Sequence, residues 1–404
     1  MAKGLPFEAG ADLEGLTYDI MMSAAFGIPE EDSNTVNCLR ALQAAGRADI
    51  LQNGSEQLAS FPLVDNPELL TALRVLDVRV TKAFDTTFPN LFYFFDNFRP
   101  SVRRAFESKR AIIQSHIDRS VKKSSGNNSS KEQYASAVDY VVSRERSAAE
   151  SAGRQPIFKS PRLIDMLWGY LVGGQDSTHS TLSFTVKYLA KYQDVQSKLR
   201  QALRLAYPEA HEQQREPVLE EIIKTQVPFL DAVIEETLRM CSPAASVMKE
   251  ALCDITVLGH VVPKGTPIMF MLTGPTFTES GAGVEETKRS ETSQKQSNES
   301  PDDWAQTQFP PEEFHAERWL KPDESGEEKF NNKAGPFMSF SNGPRGCWGK
   351  RLAYLELKLI VTMLVWDLEF LKLPTELEDD GLIQGLFTKP KSCLVKLKST
   401  SGLD

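Results

Sequence analysis

The chain has 404 residues, 41% hydrophobic and 25% charged, which is enough for one large core or two ordinary ones. A net charge of −9 and a pI near 5.3 give no support to nucleic-acid binding, which asks for a basic face. Five cysteines, scattered at Cys38, Cys241, Cys253, Cys347 and Cys393, argue against a disulfide framework and fit a reducing compartment; the five histidines show no metal-ligand spacing.

The opening MAKGLPFEAGADLEGL has no charged segment followed by an apolar run, so no signal peptide is read there. No stretch reaches the roughly 18 apolar residues that span a bilayer. Helical spacing first appears over 12–26, through Leu13, Leu16, Ile20, Met21 and Ala24. A second amphipathic helix is predicted over 101–121. The polar run KKSSGNNSSK follows, and 122–132 is read as a flexible surface loop, because it cannot bury enough apolar surface to order itself. Pro161 suits an early helical position and opens a long helix through Leu163, Leu167 and Leu171, resuming at Leu182, Val186 and Leu189. Two more helices are expected over 195–205 and 227–240. Residues 255–258 and 259–263 read as a short hairpin with Pro263-Lys-Gly-Thr266 as its turn, and 267–272 as a further strand. The Ser-, Glu- and Lys-rich run 281–303 is the second flexible loop. A last strong helix covers 352–364, and 393–397 alternates as an edge strand. The fold class is mainly α with a minor β part, in a single domain over 1–404 without internal repeats.

Chemistry concentrates in the run Phe340-Ser-Asn-Gly343-Pro-Arg345-Gly-Cys347-Trp-Gly349-Lys-Arg-Leu-Ala353. Cys347 sits among glycines, just ahead of an apolar helical run. Unpaired N–H groups and the helix dipole there favour an anionic sulfur, the form that binds metals. Arg345 could pair with an anionic part of the same ligand. Taken alone, such a cysteine reads first as a buried structural thiol in a glycine-rich turn. Glu236 and Arg239 in FLDAVIEETLR lie three apart on one helix face and can pair, as a solvated surface pair would. In Gly173-Gly174-Gln-Asp176-Ser177-Thr178, two glycines weaken a helix and a carboxyl stands beside a hydroxyl. That arrangement suits either proton relay or a polar helix break. Lys249, ahead of the hairpin, reads as a surface lysine.

The cysteine run resembles the signature of the cytochrome P450 family, matching at Phe340, Gly343, Arg345, Cys347, Gly349 and Ala353. The resemblance implies the cytochrome P450 fold, haem b (iron protoporphyrin IX) as cofactor and Cys347 as the axial thiolate of its iron, with Phe340, Gly343, Arg345 and Gly349 around it. It also implies a structural triad of Glu236, Arg239 and Arg318, the last from Phe314-His-Ala-Glu-Arg318-Trp, where Ala316 replaces the family's usual proline. Asp176, Ser177 and Thr178 correspond to the oxygen-activation segment, with Ser177 in place of the first threonine, and Lys249 to a basic residue, usually arginine, that contacts a haem propionate. The loops and the Gly259–Thr266 turn are most similar to fungal members of secondary metabolism.

The resemblance runs from Asp12 to about Leu397. ADLEGLTYDIMMSAAFG is similar to a helix well inside the fold, so a chain truncated at the N-terminus is expected. The family's Trp-x-x-x-Arg/His helix finds no match at Trp168, Trp304, Trp319, Trp348 or Trp366. The implied activity is insertion of one oxygen atom from O2 into an apolar small molecule, with electrons from a separate NADPH-dependent reductase. Lys350 and Arg351 stand either as docking charges or as ordinary surface residues. The implied location is cytoplasmic, or peripheral at the endoplasmic reticulum. A truncated non-catalytic relative and a haem-dependent isomerase or dehydratase are the alternatives.

Overall fold

The structure, a computed structural model, describes residues 4–44, 58–61, 64–125, 134–279, 284–299, 304 and 307–400. It is mainly helical with small sheets, and the chain divides into two compact units. Among the described residues, no helix is long and apolar enough to cross a membrane.

The unit of Glu8–His179 and Gln384–Leu386 is built from α1 (Gly10–Phe26), α2 (Asn34–Ala44), α3 (Glu68–Phe84), α4 (Pro89–Asp96), α5 (Pro100–Ser125), α6 (Ala137–Ser151) and the first part of α7 (Pro161–Lys191). Gly27 ends α1 in the left-handed region at φ 65°, and its N–H returns to the Ser23 carbonyl at 2.8 Å. Ala72, Leu76 and Ala105 from α3 and α5 form a core against which Val75 and Trp168 pack. Ser136 caps α6 by accepting from the Asp139 N–H. Residues 122–125, expected in a loop, are the last turn of α5; of that loop, 126–132 lie outside the described residues.

Ser180–Ile383 and the two ends of the chain make the other unit. Its helices after α7 are α8 (Gln193–Ala206), α9 (Pro208–Glu212), α10 (Leu219–Lys224), α11 (Pro228–Met240), α12 (Pro275–Thr278), α13 (Glu291–Glu299) and α14 (Lys350–Asp367). Helix α13 falls within the expected second loop, of which 281–283 and 300–303 are outside the described residues.

After β1 (Phe7–Glu8) the strands β2 (Ser246–Glu250) and β5 (Pro267–Met271) pair antiparallel, as do β3 (Ile255–Val257) and β4 (His260–Val262). Val257 opposes His260, so the hairpin turn is Leu258-Gly259, not Pro263–Thr266. Both turn residues have positive φ, 49° and 83°, the geometry that matches strand twist in a two-residue hairpin. Pro263–Thr266 instead leads into β5. Strand β11 (Leu394–Ser399) was expected at an edge but is the middle strand of three, between the strand that starts at Phe7 and β8 (Leu368–Leu371). Side-chain alternation cannot reveal how many neighbours a strand has.

Candidate functional site

Pro228 pre-sets the first-turn φ of α11, and the run FLDAVIEETL that follows is apolar on most of its surface. Such a helix is buried on nearly every side, and its glutamates and arginine go in with it. A buried carboxylate is tolerated only when its lone pairs are filled. Glu236 and Arg239 are both at 0% exposure. Glu236 Oε1 accepts from Arg239 Nη2 at 2.8 Å, Arg318 Nε at 3.1 Å and the His315 backbone N–H at 2.8 Å. Its Oε2 accepts from Arg239 Nε at 2.8 Å and Trp319 Nε1 at 2.9 Å.

The guanidinium groups spend their other N–H groups mainly on backbone carbonyls, Arg239 on Phe277, Pro311 and Glu313, and Arg318 on Phe309, Pro310 and Glu313, while the Thr307 hydroxyl accepts from Arg318 at 2.6 Å. Trp304 lies against both, its ring centroid 5.2 Å from Arg239 Cζ and 5.7 Å from Arg318 Cζ. Arg318 and Trp319 arrive together because Ala316–Trp319 winds as a 3-10 turn, with Ala316 fully buried in the proline's place. Burial pulls the Arg318 pKa below its ordinary value, against the Glu236 charge. Glu236, Arg239 and Arg318 therefore meet in one cluster. The roles of Trp304 and Trp319 were not read from the sequence; an indole in the arginine segment was the one available signal.

The cysteine bend is held by its own backbone. Ser341 takes a positive φ of 53° and donates to the Met338 carbonyl at 2.6 Å. Gly343, at φ 73°, opens a 3-10 turn over Gly343–Arg345, and the Gly346 N–H closes it onto the Gly343 carbonyl at 2.9 Å. A Cβ at Gly346 would stand 3.2 Å from that same oxygen, a tight contact. The Cys347 N–H donates to the Phe340 carbonyl at 2.7 Å. Gly349 is the N-cap of α14 and supplies no side-chain cap, so the helix N-terminus faces the bend uncapped by its own residue. Ser339 Oγ donates to the Leu238 carbonyl at 3.0 Å, tying the bend to α11. Lys249 Nζ reaches the Asn342 carbonyl at 3.0 Å, which brings β2 to the bend. Arg345, Lys350 and Arg351 are exposed, with Lys350 Nζ 5.4 Å from the Phe340 ring.

Asp176, Ser177 and Thr178 belong to the other unit, on α7. Asp176 and Thr178 are buried, and Asp176 Oδ1 lies 3.7 Å from His179 Nδ1. The Ser177 hydroxyl donates to the Gly173 carbonyl at 2.7 Å. The glycine pair divides its duties. A Cβ on Gly174 would come within 2.4 Å of Met21 Sδ on α1, whereas one on Gly173 would meet nothing within 4 Å among the described residues.

Cys347 is a free, exposed thiol. Beside its bend are the exposed Trp348 and, on the face of the strand pair that Lys249 joins to it, the exposed Phe270, whose ring lies 5.8 Å from Lys249 Nζ. A thiol at a helix N-terminus, apolar side chains open to the surface and two cations, Lys249 and Arg345, suit a flat apolar group that carries a metal and an acidic edge. Haem has that chemistry, and the residues fit it. A haem-thiolate protein is the class that these residues suit. The sequence matches the Cytochrome P450 family over residues 7–275 and 305–397. Three fungal monooxygenases are similar to it. Cytochrome P450 monooxygenase cyp3.1 of the Hps1-dma1 cluster of Dothistroma septosporum is 36% identical over 66% of this chain and 87% of its own. TRI13 of Fusarium sporotrichioides is 30% identical over 98% of this chain and 70% of its own. The monooxygenase xilC of Penicillium rubens is 31% identical over 98% and 67%. The chain belongs to the cytochrome P450 family, whose members hold haem b on a cysteine thiolate and generally pair a reductase with apolar substrates.

Proposed function

We propose that the chain is a haem-thiolate monooxygenase that inserts one oxygen atom from O2 into an apolar small molecule of fungal secondary metabolism. The observation that carries this reading is Cys347, an exposed free thiol on a bend tied to the buried Glu236 cluster through Ser339 and α11. Bound haem supplies the oxygen chemistry that side chains lack.

The chain's own residues have distinct tasks. Cys347, just ahead of α14, would hold the iron through its sulfur. Phe340, Gly343 and Gly349 shape the bend, and Lys249 and Arg345 balance the negative edge of the macrocycle. Asp176, Ser177 and Thr178 hold and hand on protons on α7. The Ser177 bond to Gly173 commits its own hydrogen to the helix, leaving Asp176 as the acid of the set. Lys350 and Arg351 offer positive charge to an NADPH-dependent reductase. In this reading the chain works in the cytoplasm or peripherally at the endoplasmic reticulum. The origin of the similar proteins, one of them named for a gene cluster, supports the assignment to secondary metabolism.

The test is to load the chain with haem, reduce it and add carbon monoxide. A Soret band shifted far to the red is expected, and Cys347→Ala abolishes it. Persistence of the band in that variant would sink the ligand assignment. Failure to take up haem would favour a non-catalytic relative. Turnover with a reductase and O2 then separates oxygen insertion from isomerase or dehydratase chemistry.

A further inference from the structure

We infer that Glu235 is a positioning residue for the cysteine bend, acting through Tyr354 and Phe340; this rests on the haem-thiolate reading above. Glu235 and Glu236 are neighbours in α11 with opposite surroundings. Glu236 takes five donors. Glu235, 6% exposed, takes one on Oε1, from the Tyr354 hydroxyl of α14, and its Oε2 has no hydrogen-bond partner among the described residues. Burial pushes this carboxyl up to about 7, with Asp231 pushing the same way and the Tyr354 bond and Lys350 opposing. A carboxyl kept dry with an oxygen unfilled is costly. A position serving packing alone would be better filled by an apolar side chain.

What the carboxyl holds is the ring of Tyr354. That ring lies 5.0 Å from the Phe340 ring, and Lys350 Nζ stands 5.8 Å from Tyr354 on the same aromatic pair. The Phe340 carbonyl is the acceptor for the Cys347 N–H. Glu235 thus fixes Tyr354, Tyr354 fixes Phe340, and Phe340 fixes the residue that carries the sulfur. Without the carboxyl the tyrosine hydroxyl must find another acceptor, and the sulfur loses part of its fixed direction.

Three variants test this: Tyr354→Phe, which removes one hydroxyl; Glu235→Gln, whose amide oxygen still accepts it; and Glu235→Ala. In the haem-free chain, alkylation of Cys347 by iodoacetamide is followed by peptide mass, with the exposed Cys253 as internal reference. Y354F and E235A should change the Cys347 rate roughly fivefold, the factor one lost hydrogen bond sets, and leave Cys253 unchanged. E235Q should match the unmodified chain. In the haem-loaded chain the red-shifted carbonyl band should decay faster by a similar factor in Y354F and E235A alone. Unchanged Cys347 rates in Y354F, equal changes at both thiols, or E235Q behaving as E235A would each overturn the proposal. If E235A does not fold, Y354F decides. If the unmodified chain shows no red-shifted band, the haem-thiolate reading fails, and the alkylation arm still judges the positioning role.

Discussion

At the scale of single residues, Glu236 is a negative side chain set between two guanidinium groups with no solvent around any of them. Its removal does more than lose two ion pairs, because it strands two positive charges in a dry interior. Breaking such a buried arrangement from one side costs about 3–5 kcal/mol. Glu236→Ala should lower the unfolding free energy from urea titration by that amount, through a lower midpoint at an unchanged slope. A loss under about 1 kcal/mol would mean that the arginines are satisfied without the carboxylate, by the backbone carbonyls around them and the Thr307 hydroxyl. Trp319→Phe, which removes only the Nε1 donor to Glu236, should cost about 1–2 kcal/mol in the same measurement.

Among the elements, α7 makes the clearest statement about why small residues stand where they do. Gly173 and Gly174 each weaken a helix by roughly 1 kcal/mol relative to alanine. On Gly173 a methyl group would meet nothing within 4 Å among the described residues, so Gly173→Ala should stabilise the haem-free chain by up to about 1 kcal/mol. On Gly174 it would collide with Met21, which is fully buried and must displace its neighbours to yield. Overpacking of that kind costs about 1–3 kcal/mol, so Gly174→Ala should be neutral to destabilising. Measured within a Met21→Ala background, which itself loses buried volume, the Gly174→Ala change should show the propensity gain. Equal melting temperatures for G173A and G174A would contradict the packing role. Helix α1 supplies the opposing surface because its cap at Gly27 stops it cleanly after Phe26.

Over the whole molecule, two buried titratable groups set opposing pH slopes. His116, stacked on Phe26 at 4.4 Å, is held down to about 4 by burial and then by Arg119. Its folded state binds fewer protons than its unfolded state, so its contribution is full above pH 6.5 and is lost as pH falls through about 4. Glu235 acts the other way: raised from 4.5 to about 7, it favours folding most below 4.5, and that contribution is lost as pH rises through about 7. His116→Phe should therefore leave a chain whose stability falls from pH 4.5 to 7, and Glu235→Gln one whose stability rises from pH 4 to 6.5. Melting curves across that range check both signs. Sequence alone located the helices expected over 12–26, from Pro161 through Leu189 and over 227–240, because their apolar period is local and Pro161 opens the second. It also determined the cysteine run, whose glycines and arginine recur at fixed spacing around Cys347. Strand β2, the middle place of β11, the turn at Leu258-Gly259 and the Trp304 and Trp319 contacts were decided only by tertiary structure. Each depends on which distant segment arrives as a neighbour. The same holds for the two adjacent glutamates of α11, identical in chemistry and side by side in the chain. Their difference comes from the surroundings: the arginine segment packs against Glu236, and Tyr354 of α14 against Glu235.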